Sequence, residues 1–209
     1  LLFILKVVGI LLLIILVLAA LLLLCGCRAQ KASTEFFAMD TVMQLTAYGA
    51  YADAAVDAAE VEIARLDAKL SAQNVNSEIA KLNAGGFCED DETLRVLASA
   101  YQIAALTEGA YDPTVYPLMQ LWGFGTEHAQ VPQQAAIETA LEAVGYEKLP
   151  AVKAPYQLPE GMAIDLGGIG KGFAAQTVRR CLQKQGIQSA VLSLGGNVTL
   201  LGSKPDGAD

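Results

Sequence analysis

The amino-acid sequence predicts an α/β domain, and two patterns carry that prediction. Residues 162–197 follow the order strand, glycine loop, helix, strand and glycine turn. Upstream, residues 52–70 and 91–107 are predicted to be amphipathic helices because their apolar residues recur at helical spacing. Strands that alternate with helices are typical of this fold class, and the length allows one domain or two.

The glycine-rich part of residues 162–197 is predicted to meet a ligand. An apolar run at 162–166 is predicted to be a strand that carries one acid, Asp165. The glycines that follow let the backbone approach a ligand closely, and a helix predicted at 173–185 ends at Gly186. Because a helix start presents free N–H groups, this arrangement favours an anion. Residues 190–194 form the second predicted strand.

The charge distribution agrees with an anionic ligand. The chain carries 14 Lys and Arg against 22 Asp and Glu, yet no acid lies between Leu166 and Pro205. That acid-free segment holds five cations: Lys171, Arg179, Arg180, Lys184 and Lys204. A basic segment in an acidic protein suggests a negatively charged ligand, although the same side chains suit a solvated helix face.

Two common nucleotide motifs do not fit the glycine loop. A Walker loop needs glycine five residues before the Gly-Lys pair and Ser or Thr after it, where this chain has Asp165 and Gly172. The glycines match a loose dinucleotide fingerprint, which also requires an acid about 20 residues further on. The first acid after the loop is Asp206, so a nicotinamide-binding Rossmann domain is not predicted.

The N-terminus is predicted to direct the chain to a membrane. Residues 1–24 are almost wholly apolar, and 7–24 are enough to span a bilayer. Leu24-Cys25-Gly26-Cys27 resembles a bacterial lipobox, and the small residue before Cys27 makes it the candidate lipidation site. We predict a lipoprotein signal at 1–27 and a polar tether at 28–34, with an uncleaved signal anchor as the alternative. Either places the body outside the cytoplasm, on a membrane surface.

The remaining cysteines and the histidine point to no metal site. Cys88 and Cys181 can form one disulfide in an oxidising compartment or remain two free thiols. His128 is the sole histidine, and one histidine without a cysteine cluster does not predict zinc.

Between the tether and the glycine loop the chain is predicted to form short elements. In order these are a strand or hairpin arm at 35–48, the helix at 52–70, a short helix to Leu82 capped by Asn76 or Ser77, the helix at 91–107, a helix at 133–143, and a connection at 146–158 with at most one strand. Residues 109–125 are aromatic and rich in Gly and Pro, which predicts an irregular segment. Its aromatic residues suit a packed cover on the core or, less well, a wall for a flat ligand.

Four segments of the chain carry a family resemblance. They are Met39-Asp40-Thr41, then Leu70-Ser71 through Ser77-Glu78-Ile79 to Leu82-Asn83, then residues 109–124, and then residues 164–174 with Gly195-Gly196. In this order and spacing they resemble the ApbE family of bacterial FAD:protein FMN transferases. The match runs from residue 37 to the end, with Asp40 where the family usually has glycine.

The resemblance implies a fold and an activity for residues 35–209. The fold is a single ApbE-like α/β domain, a mixed sheet flanked by helices. The activity is Mg²⁺-dependent transfer of FMN from FAD to a threonine of an acceptor protein, with release of AMP. The implied partners are acceptor flavoprotein subunits of membrane redox complexes and the membrane itself, without nucleic acid. The implied location is extracytoplasmic and lipid-anchored.

The resemblance also assigns site residues. Positions that match the family's FAD contacts are Met39, Gln73, Ala110, Tyr111, Asp112, Asp165 and Lys171. Gly168, or Gly170 if the register shifts by two, matches a backbone carbonyl ligand of the metal. Gln73 replaces an aromatic residue of some relatives. From the residues alone, Asp112 could instead cap a turn and Asp165 could be a structural buried acid.

The chain stops at Asp209, where family members continue into the segments that supply most metal ligands. We therefore expect a domain that is incomplete at its C-terminus, inactive and poorly folded alone, whose catalytic base the sequence does not name. Two other functions stay open: a lipoprotein that binds or hydrolyses FAD without labelling protein, and a non-enzymatic surface lipoprotein.

Overall fold

The computed structural model describes residues 9–11, 13–17 and 30–205 of the chain. Residues 9–11 and 13–17 are helical. Within the described ranges, no helix combines the length and hydropathy needed to cross a membrane. Cys27 lies outside the described residues, so its lipidation stays a prediction.

Four strands form one antiparallel sheet in the order β1-β2-β3-β4. They are β1 (Lys31–Ala38), β2 (Thr41–Tyr48), β3 (Ser189–Leu194) and β4 (Asn197–Leu201). The resemblance implied a mixed sheet, whereas every pairing among the described strands is antiparallel. Two-residue turns join β1 to β2 and β3 to β4, and so short a connection can only reverse the chain, whereas β2 pairs with β3 across a long connection. The predicted tether is corrected too, since residues 31–34 belong to β1.

Six α-helices lie between residues 30 and 205. They are α1 (Ala52–Leu70), α2 (Glu78–Asn83), α3 (Asp91–Leu106), α4 (Tyr116–Trp122), α5 (Gln134–Leu141) and α6 (Gly167–Lys184). The helices predicted at α1, α2, α3 and α5 are confirmed to within two residues at their starts and ends, and Ser77 caps α2 through a hydrogen bond from Ala80 N. The α/β class is confirmed.

Three sequence predictions about element boundaries were wrong. Residues 162–166 belong to no strand, and α6 begins at Gly167 rather than at residue 173, so the glycine loop is the first turn of the helix. The segment predicted to be irregular contains α4, which Gly123 ends in a left-handed conformation (φ 72°). Strand β4 was not predicted, although Gly195-Gly196 directly after a strand is a hairpin signal and β4 pairs with β3 across that turn.

One face of the sheet packs against helices α1 and α6 and forms the core. The fully buried large side chains include Met43 and Leu45 of β2, Ile63 and Leu66 of α1, Leu182 of α6, and Leu192 and Leu194 of β3. Cys88 is buried and Cys181 is half-buried, and both are free thiols, so the possible disulfide is not formed.

A network of ion pairs joins α1 to the start of α3 and makes stability pH-dependent. Arg65 and Lys69 of α1 contact Glu92, and Lys69 also contacts Asp90, at 2.7–2.9 Å. The hydrogen bonds from Arg65, helped by Lys69 against burial, hold the pKa of Glu92 at about 2. Burial opposes ionisation of Asp90, yet its bonds to Lys69 and Thr93 hold that pKa at about 2 as well. Depressed carboxyl pKa values stabilise the fold above the unfolded values of 3.8 and 4.5, and the stabilisation is lost as pH falls toward 2.

We therefore expect Glu92→Gln to lower the free energy of unfolding by about 1 kcal/mol at pH 7, since the pairs are partly exposed. The difference from wild type should shrink to nothing near pH 2. Thermal melts between pH 7 and pH 2 measure this, with the exposed Glu89→Gln as control. A Glu92→Gln penalty that persists unchanged to pH 2 contradicts the assignment.

Candidate functional site

A cavity of about 170 Å³ opens where the first, second and fourth sequence segments meet. Its walls are the β1–β2 turn, the end of α1 with the loop that follows, Met119 of α4 and the start of α6. Pockets that bury a whole ligand usually measure about 300–1,000 Å³. This cavity is therefore smaller than a pocket that encloses a whole ligand.

The structure brings four of the predicted site residues together. Met39, Gln73, Asp165 and Lys171 line the cavity, and Gly170 lines it as well. The other predicted residues lie outside the wall: Ala110, Tyr111, Asp112 and Gly168. Tyr111 and Gly168 nevertheless contact each other directly behind the start of α6.

The β1–β2 turn presents Met39 and Asp40 to the cavity in left-handed conformations, with φ angles of 49° and 58°. Two consecutive positive φ angles are those of a turn that matches the twist of a hairpin. Asp is among the few residues that adopt this conformation readily, which explains how it replaces the family's usual glycine. A hydrogen bond to α1 holds this turn in place: Met39 N–H donates to Asp67 Oδ2 at 3.0 Å.

Asp67 is a site residue that the sequence reasoning missed. It lies in the last turn of α1, where the helix dipole disfavours a negative charge. The sequence could have indicated this residue, because an acid in the last turn of a helix needs a partner outside the helix.

Asp165 is a half-buried carboxylate at the edge of the cavity and directly before α6. Its Oδ1 accepts a hydrogen bond from Gly167 N–H at 2.8 Å, and its own N–H donates to Pro113 O at 2.8 Å. Burial raises the pKa of Asp165; the negative charge of Asp40 adds to this, while Gly167 N–H and Lys171 oppose it. The site thus pairs a carboxylate with a cation at a helix start, where an anionic ligand gains from the free N–H groups.

Tyr111 stands over Gly168 with no room for a side chain. A Cβ on Gly168 would lie 2.6 Å from Tyr111 Cε2. The Tyr111 hydroxyl is buried and lacks a hydrogen-bond partner among the residues that the structure describes. Burial, with Asp165 and Asp112 nearby, raises the pKa of Tyr111 to about 12, so its hydroxyl stays protonated at neutral pH. A buried donor without a partner is available to a ligand.

Asp112 has a structural role in the described fold. Its Oδ1 accepts from Thr114 N–H (2.8 Å) and from Thr114 Oγ1 (2.6 Å), and its Oδ2 accepts from Tyr146 N–H (2.9 Å). Both oxygens are therefore engaged in fixing a turn. The geometry shows that Asp112 caps a turn, and the FAD contact that the resemblance implies for it stays a prediction.

Residues 109–125 pack mainly over the loop beside the cavity and contribute little to the cavity wall. Tyr116 Oη donates to Ala72 O at 3.0 Å, and Gln73 Nε2 donates to Phe124 O at 3.3 Å. Met119 is the residue of this segment that reaches the cavity. No aromatic side chain of the described residues lines it, which favours the cover over the aromatic wall.

The described residues do not form a complete magnesium site. Across residues 9–11, 13–17 and 30–205, no group of three His, Cys, Asp or Glu side chains is placed to hold a metal ion. Asp40, Asp67 and Asp165 line the same cavity without forming such a group. Mg²⁺ prefers six oxygen ligands at near-octahedral geometry.

The fold and the cavity together define a class: an α/β domain in which a glycine-started helix, a carboxylate and a lysine line one cavity. The sequence profile of the ApbE family matches residues 39–209. The chain belongs to the ApbE family.

Relatives with a stated activity cover more sequence than this chain. It is 32% identical over 203 residues to the FAD:protein FMN transferase of Vibrio cholerae, which is 90% of this chain and 60% of the relative. It is 31% identical over 198 residues to the FAD:protein FMN transferase of Treponema pallidum, 86% of this chain and 55% of the relative. The crystal structure of the ApbE protein from Thermotoga maritima matches with a TM-score of 0.77 and 30% identity, over 84% of this chain and 60% of that one.

Proposed function

We propose that this chain contributes the FAD-binding part of an FMN transferase. The reaction moves FMN from FAD to a threonine side chain of an acceptor protein. The threonine oxygen forms a bond to the FMN phosphorus, the bond from that phosphorus to the AMP phosphate oxygen breaks, AMP leaves, and the hydroxyl proton passes to a base. Membership of the ApbE family and the names of its relatives support this proposal.

The observation that carries the proposal is the convergence of Asp165, Lys171 and the N-terminus of α6 on one cavity. A pyrophosphate needs its negative charge offset and its leaving oxygen held in line with the attacking oxygen. Lys171 and the helix start supply positive potential on one side of the cavity. Asp165 supplies an acceptor for the nucleotide or flavin, whereas the Tyr111 hydroxyl is buried outside the cavity wall.

The Mg²⁺ requirement, the threonine target and the lipid anchor belong to the proposal as well. The family resemblance supports the metal, of which Gly168 would supply one carbonyl ligand. The lipobox ending at Cys27 supports a protein anchored on the outer side of a bacterial cell membrane, near acceptor subunits of membrane redox complexes.

The proposal predicts covalent flavin on an acceptor protein. Membranes carrying the protein expressed from the complete reading frame are incubated with FAD, Mg²⁺ and an acceptor that contains a target threonine. In-gel flavin fluorescence should appear on the acceptor and vanish with EDTA or with the acceptor's threonine changed to alanine. A variant that lacks residues 1–27 should carry the same activity in the soluble fraction.

Other outcomes select other functions. Release of AMP without labelled protein favours an FAD-hydrolysing lipoprotein, the alternative that Asp40 and Gln73 keep in view because both depart from the family's usual residues. If neither AMP nor labelled protein is detected, the transferase proposal is overturned.

A further inference from the structure

Residues 162–166 include Asp165, which lines the cavity, and they belong to no strand. Contacts other than a strand pairing must therefore hold this segment in place. The backbone of Ile164 is fully buried. Buried peptide groups need hydrogen-bond partners, and an extended segment normally finds them in a neighbouring strand. Here two groups take the place of that strand: Pro113 O accepts from Asp165 N–H, and the Asn83 side chain bonds both backbone groups of Ile164.

Asn83, the last residue of α2, supplies both hydrogen bonds. Its Oδ1 accepts from Ile164 N–H at 2.8 Å, and its Nδ2 donates to Ile164 O at 2.9 Å. A primary amide offers one donor and one acceptor side by side, which matches the two groups of one extended residue. The next residue in the chain is Asp165, so this pair of bonds fixes the backbone directly beside the site carboxylate.

Helix α2 is held by a cap at its start and by side chains buried in the core. Ser77 caps its start and donates from Oγ to Ser71 O at 2.5 Å, and Ser71 lines the cavity. Ile79 and Leu82 anchor the helix in the core. The second sequence segment, from Leu70 to Asn83, thus borders the cavity at one end and holds the Asp165 segment at the other.

We propose that Asn83 is a positioning residue for the ligand site: its side-chain amide holds the backbone next to Asp165 so that this carboxylate and the start of α6 face the cavity. This inference rests on the proposed FAD-binding function of the same cavity. Asn83 acts through Asp165, and the proposal requires no contact between Asn83 and the ligand.

The test measures FAD binding by titration calorimetry on the protein from the complete reading frame, with Asn83→Leu and Asn83→Asp compared with wild type. Leucine has a similar size and removes both bonds, while aspartate keeps the acceptor for Ile164 N–H and loses the donor. We expect the Kd for FAD to rise about tenfold or more with the number of sites per chain unchanged, because a small misplacement of a contacting group is costly. A purely structural role would instead lower the number of competent sites and leave the Kd of the remainder unchanged.

A double-mutant cycle shows whether Asn83 works through Asp165. If it does, Asn83→Leu combined with Asp165→Asn should bind FAD no more weakly than Asp165→Asn alone, since the second change removes what the first one misplaces. Asn76→Ala, an exposed asparagine in the preceding loop, is the matched control and should bind as wild type does.

The outcomes separate this inference from the function on which it rests. FAD binding by wild type with an unchanged Kd in both Asn83 variants overturns the positioning role alone, as do additive losses in the cycle. A wild type that does not bind FAD overturns the proposed function and the positioning role together. Should Asn83→Leu fail to fold, Asn83→Asp alone decides, because it keeps one of the two bonds.

Discussion

Replacing Gly168 by alanine should destabilise the protein by about 2 kcal/mol, or about 4–8 °C in Tm, and weaken FAD binding at least about tenfold. The new Cβ would lie 2.6 Å from Cε2 and 3.1 Å from Cδ2 of Tyr111. These atoms belong to a rigid, largely buried ring, so relief requires the ring or the first turn of α6 to move. Either movement displaces a group that we place at the ligand site.

Gly170→Ala is the matched control for this prediction. It lies in the same helix turn, a Cβ there meets nothing within 4 Å, and its backbone is helical. Alanine should therefore stabilise the helix by about 0.5–1 kcal/mol, the usual penalty of a helical glycine. Urea unfolding of both variants provides the comparison, and equal stability of the two would show that the Tyr111 contact is not tight.

A second-site change shows whether Tyr111 is the cause. In a Tyr111→Ala background the space above Gly168 is open, so Gly168→Ala should cost little or nothing there. A Gly168→Ala penalty of full size in that background would place the clash elsewhere.

Changing Asp165 to asparagine should separate stability from function. FAD affinity should fall on the order of 10- to 100-fold, because a hydrogen bond to a charged acceptor is lost. Stability at pH 7 should rise, because Asn keeps the oxygen that accepts from Gly167 N–H and removes a carboxylate whose ionisation burial opposes.

The pH dependence of that gain follows from the sign of the pKa shift. Burial raises the pKa of Asp165 above its ordinary value of 3.8. A raised carboxyl pKa contributes stability below the unfolded value and loses it as pH rises through the folded value, so wild type carries the full penalty at pH 7. The Tm difference between Asp165→Asn and wild type should be largest at pH 7 and absent near pH 3. A variant that is less stable than wild type at pH 7 contradicts this account.

Asp112→Asn should behave in the opposite way and serves as the contrast. Both of its carboxylate oxygens accept hydrogen bonds from Thr114 or Tyr146. An amide in its place turns one acceptor into a donor that faces another N–H group, at a cost of about 1–3 kcal/mol. The family resemblance assigns both Asp112 and Asp165 to the ligand contacts. Asparagine is nevertheless expected to destabilise the protein at Asp112 and to stabilise it at Asp165.

The elements with a strong local pattern could be predicted from the sequence. Helix α1 was predicted with its bounds and its buried stripe because nineteen residues repeat the helical period. Ser77 as the cap of α2 and Gly186 after α6 followed from side-chain chemistry that acts within a few residues. The strand character of residues 35–48 followed from their alternation, but the turn at Met39-Asp40 that divides this stretch between β1 and β2 was not predicted.

The site depended on contacts that no local pattern records. Residues 162–166 have the composition of a strand, but their partners are the Asn83 side chain, which bonds Ile164 from 81 residues away, and Pro113 O. The glycines before residue 173 suggested a loop, yet they begin α6, and Asp165 and Tyr111 leave no room for a side chain at Gly167 and Gly168. Residue type and spacing alone therefore determined most of the helices and the family of this protein. Only the tertiary structure decided which carboxylates line the cavity, since hydrogen bonds between distant residues hold the segments that carry them.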